Sequence, residues 1–342
     1  MRTVDSSYFD PRGLRELLSS ALRETVSRSA AGLVTVAVFM LPVALLQIVG
    51  AYITAELGVA ELQEQIQSGQ MTPEQLDFRP FMLLGAFELV AMVIMFVAAY
   101  FAVAGVARLL AARAIGKDIG AMGAWDACLR LLSRLLSGSI VQMLVYGAAL
   151  IVIMVPVVAI AAVLAAAMGQ QEAGSGGTLI QVVAGAAAAI PLVILSTYLC
   201  PMPSVSAIED RGPFATVGRS FGLISGSFGR TFLALLIGIA CLAVPLGVLS
   251  KEMGGSVLAS LQSSLGDAPG GAVAAVPGAL VFLLVIPFIY SLYVLVYFDV
   301  RSRKDGPERF TPAALAHDLG EALPEPDAPA SQPATEQPDG PA

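Results

Sequence analysis

Long apolar runs alternate with short polar stretches along the whole chain. Runs of about 20 or more mainly apolar residues, the length that crosses a bilayer, cover 30–52, 81–107, 139–168, 178–200, 231–250 and 273–298. They predict six transmembrane helices. Pro42, Pro156, Pro191, Pro245, Pro277 and Pro287 fall inside these runs. Proline is tolerated in membrane helices because neighbours satisfy the carbonyl it frees, so these positions read as kinks rather than ends.

Before each odd-numbered run lies a shorter segment with helical apolar spacing. The first has Leu14, Leu18, Ala21, Leu22 and Val26, with Arg15, Ser19 and Arg23 opposite. The second has Trp125, Leu129, Leu132, Leu136 and Ile140, with Asp126 and Arg130 placed to pair at i,i+4. The third has Phe214, Val217, Phe221, Ile224 and Phe228, opposite Arg219, Ser220 and Ser227. Each is expected to be an amphipathic helix at headgroup level that feeds a span. The predicted fold is therefore all-α: a polytopic membrane protein of six transmembrane helices, arranged as three repeats of interfacial amphipathic helix plus helical hairpin. Arg130 to Pro156 and Arg219 to Pro245 both span 26 residues, whereas Arg23 to Pro42 spans 19, so the first copy is the divergent one. The expected division is a cytoplasmic N-terminal segment, 1–29, a six-span membrane domain, 30–312, and a disordered acidic Pro/Ala-rich cytoplasmic tail, 313–342.

Charge orients this frame. Seventeen of the 19 Lys and Arg residues fall on one side of the predicted membrane, the exceptions being Arg79 and Lys251. By the positive-inside rule both termini are cytoplasmic, which implies a multi-pass protein of the cell (inner) membrane. A membrane-impermeant thiol reagent applied outside is expected to label cysteines introduced near Gln65 and to miss those near Arg113; the reverse pattern would overturn the topology. The first 28 residues lack a short apolar core followed by a small-residue cleavage site, so the first run reads as an anchor rather than a cleaved signal.

Composition sharpens the class. Charged residues are 13% of the 342, about half the share of soluble domains, and apolar residues are 56%. The net charge of −7 is mostly the tail, where Asp318, Glu321, Glu325, Asp327, Glu336 and Asp339 follow Arg309 with no Lys or Arg among them. The remainder is nearly neutral, so nucleic acid is not an expected partner. Cys128, Cys200 and Cys241 are widely spaced in apolar or interfacial stretches and read as packed thiols, and the one histidine is His317. No metal site, cofactor or His-dependent triad is expected.

Two groups of residues carry candidate chemistry. Glu88 is the one acid well inside a predicted span, where a carboxylate must be protonated, paired or facing water; Gln47, at comparable depth on the preceding span, is its candidate partner. Arg219, Arg230, Arg301 and Arg303 stand at membrane ends, where a guanidinium fork can meet a phosphate headgroup. The plainer alternative for Arg301 is a stop-transfer anchor, with Asp299 neutralised by a neighbouring arginine. Tyr290, Tyr293 and Tyr297 form one aromatic face on the last span, expected to be a packing face.

Two stretches bear a resemblance. One runs from Pro203 through the acidic pair Glu209 and Asp210 to Arg211, then through Arg219-Ser220 to Arg230; the other is Tyr297-Phe298-Asp299-Val300-Arg301 leading through Arg303-Lys304 to Gly306. They are similar to the bacterial and archaeal multi-span group named for the membrane domain of glycerophosphodiester phosphodiesterases, with YciC-like proteins as relatives. The resemblance extends over about residues 10–312 and implies no catalytic residues in this domain. The soluble phosphodiesterase barrel that gives the group its name has no room here, and its metal chemistry would need more than one histidine. The expected function is a non-enzymatic inner-membrane protein that engages membrane lipids or supports a complex of membrane proteins. The alternative is a transporter or channel with a path along the repeat axis.

Overall fold

The computed structural model describes residues 5–26, 30–59, 62, 65, 77–168, 175–241, 260 and 264–323. Among them every regular element is helical. A single 3-10 turn, Ser6–Tyr8, precedes α1 (Leu14–Val26), α2 (Ala30–Glu56), α3 (Arg79–Ala114), α4 (Gly120–Arg130), α5 (Leu132–Met168) and α6 (Ser175–Leu199). They are followed by α7 (Met202–Ile208), α8 (Pro213–Ile224), α9 (Phe228–Cys241), α10 (Asp267–Asp305) and α11 (Pro312–Leu319). Among the described residues five helices are long and apolar enough to cross a membrane. The pair α8 and α9, bent by 97° at its break, raises the number to six if it counts as one span.

Each described proline of the apolar runs lies inside a continuing helix: Pro42 in α2, Pro156 in α5, Pro191 in α6, and Pro277 and Pro287 in α10. Pro245 and the end of the fifth run lie outside the described residues. The three expected amphipathic segments are helical, with shifted limits. On α1 the buried positions are Leu17, Ala21 and Glu24, one face at steps of four and three, while Leu22 is exposed. The second segment ends sooner than its apolar spacing implied. The chain turns at Leu131, whose N–H reaches the carbonyls of Ala127 and Cys128, so Leu132, Leu136 and Ile140 belong to α5. No Gly or Pro marks that turn, and the apolar period reads straight through it. Asp126 and Arg130 do pair, at 2.5 Å.

The core gathers around the second half of α10, where nearly every residue from Ile289 to Ser302 is buried. α10 packs most extensively on α2, which in turn packs on α3. The short α7 is buried along its whole length and wedges against α3. A hydroxyl pair, Tyr100 with Ser206 at 2.5 Å, pins it there. Glycine at 138 permits this approach, since a Cβ would collide with the Tyr100 hydroxyl.

Two sequence expectations are corrected. Residues 313–319 are not part of a disordered tail: α11 buries Leu315, Ala316 and Leu319, while 324–342 lie outside the described residues. Cys128 and Cys200 are buried thiols as expected, but Cys241 is exposed. Burial pushes the Cys128 thiol up to about 12, which keeps it protonated and unreactive at neutral pH.

Candidate functional site

At one end of the bundle the N-terminal segment with α1, α7, α8, the starts of α5 and α9, the end of α10 and α11 converge. Their charged side chains form two linked clusters. The first centres on Glu209, the residue that ends α7 with extended backbone and a carboxylate turned inward, 5% exposed. Arg211 Nε donates to it at 2.7 Å, Arg219 Nε at 3.1 Å and the Tyr297 hydroxyl at 3.2 Å, and Arg301 lies 3.9 Å away. Arg219 also donates to Asp305 at 2.6 Å. Arg301 donates to Tyr297 Oη at 2.7 Å and to Asp318 on α11 at 2.5 Å, with its guanidinium stacked over Phe310. Arg134, at the start of α5, ties in by donating to Asp210 and to the carbonyls of Ser206 and Glu209.

The second cluster centres on Asp299. It accepts from the backbone N–H of Arg12 at 2.7 Å, from Arg303 Nε at 3.2 Å and from Arg230 Nη2 at 3.4 Å. Arg303 returns to the Arg12 carbonyl at 2.9 Å. The Arg12 guanidinium donates to the Ser7 carbonyl and stacks on Tyr8, whose hydroxyl donates to Glu24 at 2.8 Å; Arg113 meets the same carboxylate at 3.1 Å. Burial, reinforced by Glu24, pushes the Tyr8 phenol well up, so it remains a donor. The first residues of the described chain and the end of α10 are thereby fastened together.

The four arginines expected to contact headgroups are thus all engaged with carboxylates. Arg219 and Arg301 are turned inward onto carboxylates, while Arg230 and Arg303 keep more of their surface. Asp299 is paired with the neighbouring Arg230 and Arg303. Sequence reasoning did not single out Glu209, Asp305, Asp318, Arg12 or Arg134 as site residues. Arg301 with Asp305 and Arg303 with Asp299, both at i,i+4, were pairs that spacing could have offered. The two stretches that carried the family resemblance meet here, through Glu209, Arg219, Tyr297 and Arg301. Carboxylates held in this way suit a clamp more than acid–base chemistry. Among the described residues no group of three His, Cys, Asp or Glu side chains is placed to hold a metal.

Cavities among the described residues also lie away from the clamp. A cleft of about 670 Å³ opens between α2 and α3, lined by Val43, Gln47, Thr54, Gly85, Glu88 and Met92 among others. Glu88 and Gln47 both face it, yet no hydrogen bond joins them, so the expected pair is not formed; among the described residues neither has a hydrogen-bond partner. Glu88 stands twenty residues before Arg108 on α3, about 30 Å along a helix, which is one hydrocarbon thickness. Another cavity, about 320 Å³, lies among the spans beside Met40, Tyr100, Gln142, Tyr146, Ser196, Tyr290 and Tyr293. There Tyr290 and Tyr293 line a cavity rather than only a packing face.

No protein-family model, no curated protein and no solved structure matches the chain.

Proposed function

We propose that this chain is a non-enzymatic integral protein of the cell (inner) membrane, with six spans and both termini cytoplasmic, that engages lipid between α2 and α3. The observation that carries this reading is the cleft. Its walls are mostly apolar, and its few polar groups are Gln47, Thr54 and Glu88, of which Glu88 stands about one hydrocarbon thickness along α3 from Arg108 at the basic end. Apolar walls with a carboxylate and an amide at the rim suit a lipid whose headgroup donates hydrogen bonds. The clamp at the other end supports the same reading, since it holds the helices together without offering a reactive group.

The three short helices α1, α4 and α8, each preceding a span, support an organisation in three units of the same orientation. Such units would be related by an axis along the membrane normal. The resemblance to the glycerophosphodiester phosphodiesterase membrane-domain group belongs to this proposal, without its enzymatic part.

Lipid co-purification tests the reading. Native mass spectrometry of protein released from membranes is expected to show a retained lipid that is lost in Gly85→Phe, where nothing stands within 4 Å of an added Cβ, and weakened in Glu88→Gln. A retained lipid unaffected by both changes would sink the assignment to this cleft. A second reading, transport, is favoured by the tyrosine-lined cavity, where the buried Gln142 Oε1 has no hydrogen-bond partner. A cysteine at Ser196 reached by water-soluble reagents from both sides would move the conclusion to transport.

A further inference from the structure

We propose that a cavity at the basic end, between Arg108 of α3, the length of α4 and the end of α11, binds a phosphate group carried by an anionic lipid. The cavity is about 320 Å³ and is lined by Arg108, Asp126, Arg130 and Glu321, with Ile119, Gly123, Leu319 and Gly320 in its walls. This inference rests on the lipid-engaging reading but concerns the opposite end of α3.

Charge accounting points to an anion. Arg130 is paired with Asp126 at 2.5 Å, and Glu321 with Lys117 at 2.5 Å. Arg108 is left over. Among the described residues it has no carboxylate in ion-pair range. One of its nitrogens, Nη1, donates to the Leu319 carbonyl at 3.3 Å, while its Nε is buried with no hydrogen-bond partner. A guanidinium has five donors in a fixed fork and stays charged. A largely buried cation with one neutral acceptor is costly unless an anion joins it. In the clamp, by contrast, Arg219, Arg230, Arg301 and Arg303 each have a carboxylate.

A second observation lies on the same wall. No side chain caps the start of α4, and Ile119 and Gly123, on either side of that start, both line the cavity. The first amides of a helix lack partners within it, and its N-terminal end carries partial positive charge, so this end attracts phosphate. The volume sits at the small end of ligand pockets and admits a headgroup rather than acyl chains. Met122 and Leu129, on the same helix, are 77% and 47% exposed. That apolar surface places acyl chains beside the cavity and favours a lipid phosphate over a free one.

The chain's only tryptophan reports on this site. Trp125 lies on α4 between Gly123 and Asp126, and its ring packs on Phe39 with centroids 4.9 Å apart. The full chain in neutral detergent is titrated with dioctanoyl phosphatidylglycerol, dioctanoyl phosphatidylcholine and inorganic phosphate, followed by tryptophan fluorescence and by native mass spectrometry. Phosphatidylglycerol is expected to saturate, with the choline lipid weaker. Arg108→Gln should weaken it by about tenfold or more, the effect of losing a charge-assisted hydrogen-bond pair. Arg108→Lys should weaken it less. Arg130→Gln changes an exposed side chain and serves as the variant whose fold is retained; it should lower affinity several-fold. Saturation by inorganic phosphate at the same concentrations would keep the anion site and assign it to a free phosphate. No saturable binding of either anion, or affinities unchanged in both Arg108→Gln and Arg130→Gln, would overturn the site. Lipid lost in Gly85→Phe but untouched by the arginine changes would leave the α2–α3 cleft standing and this site refuted; phosphate binding without any co-purified lipid would give the converse.

Discussion

Replacing Glu209 by alanine is expected to destabilise the protein more than any other single substitution at the basic end. Glu209 receives hydrogen bonds from Arg211, Arg219 and Tyr297, lies within ion-pair distance of Arg301, and is itself buried. Removing it takes one carboxylate from the inward-facing Arg219 and Arg301, which keep Asp305 and Asp318, and takes the partner of the more exposed Arg211, so the cost should lie toward the lower end of the about 3–5 kcal/mol of a broken buried pair. The loss should appear as a lower midpoint of thermal unfolding in detergent and as earlier aggregation on heating. Glu209→Gln keeps the hydrogen-bond acceptor and removes the charge, so it should fall between the parent and the alanine variant. A double-mutant cycle with Arg219→Gln isolates the pair, and coupling near zero would mean that the carboxylate is held for geometry alone. An unfolding midpoint unchanged in Glu209→Ala would remove the clamp from the account of stability altogether.

How much of this was legible in the sequence depends on how far apart the interacting residues are. Spans were legible because crossing a bilayer imposes a length and a composition that no folding partner alters; α2, α3, α5, α6 and α10 lie where the apolar runs placed them. The amphipathic helices were legible from spacing, though their limits were not, as the silent turn at Leu131 shows. The pairings were not legible. Arg219 meets Asp305 across 86 positions and Arg12 meets Asp299 across 287, and an arginine at a membrane end has the same sequence signature whether it faces a headgroup or a buried carboxylate. Glu88 was found because an acid inside a span is conspicuous, yet depth alone could not say that Gln47 would share its cleft without bonding it. α11 was missed for a different reason. Thr311, Pro312 and Gly320 are the N-cap, the first helical residue and the left-handed C-terminal glycine expected of a helix. The Thr311 side chain does accept from Ala314 N–H, and Gly320 has φ 70°. The acidic, proline-rich composition that follows hid that signature.

Two truncations are expected to divide the C-terminal segment sharply. Ending the chain after Leu323 keeps every described contact of α11 and should leave the unfolding midpoint where it was, within about 0.5 kcal/mol. Ending it after Phe310 removes α11, and several contacts are lost together. Leu315 and Leu319 leave buried sites, each worth about 1.5–3 kcal/mol of apolar burial. Arg301 loses Asp318, its 2.5 Å partner, and remains enclosed by Tyr297 and Phe310. Arg108 loses the Leu319 carbonyl, and Lys117 loses Glu321. The combined cost should reach about 5 kcal/mol or more by the same burial and ion-pair magnitudes, enough that the shorter chain is recovered largely aggregated from detergent extracts. Asp318→Asn, which strips one charge and leaves the helix docked, should show a small part of that loss. If the chain ending at Phe310 unfolds at the same temperature as the parent, α11 is accessory, and Arg301 must draw its stability from Glu209 and Asp305 alone. If instead the loss appears with the cut after Leu323, the acidic segment beyond it has a partner on the protein, and the basic end, with Arg108 uncompensated, is where that partner should be sought.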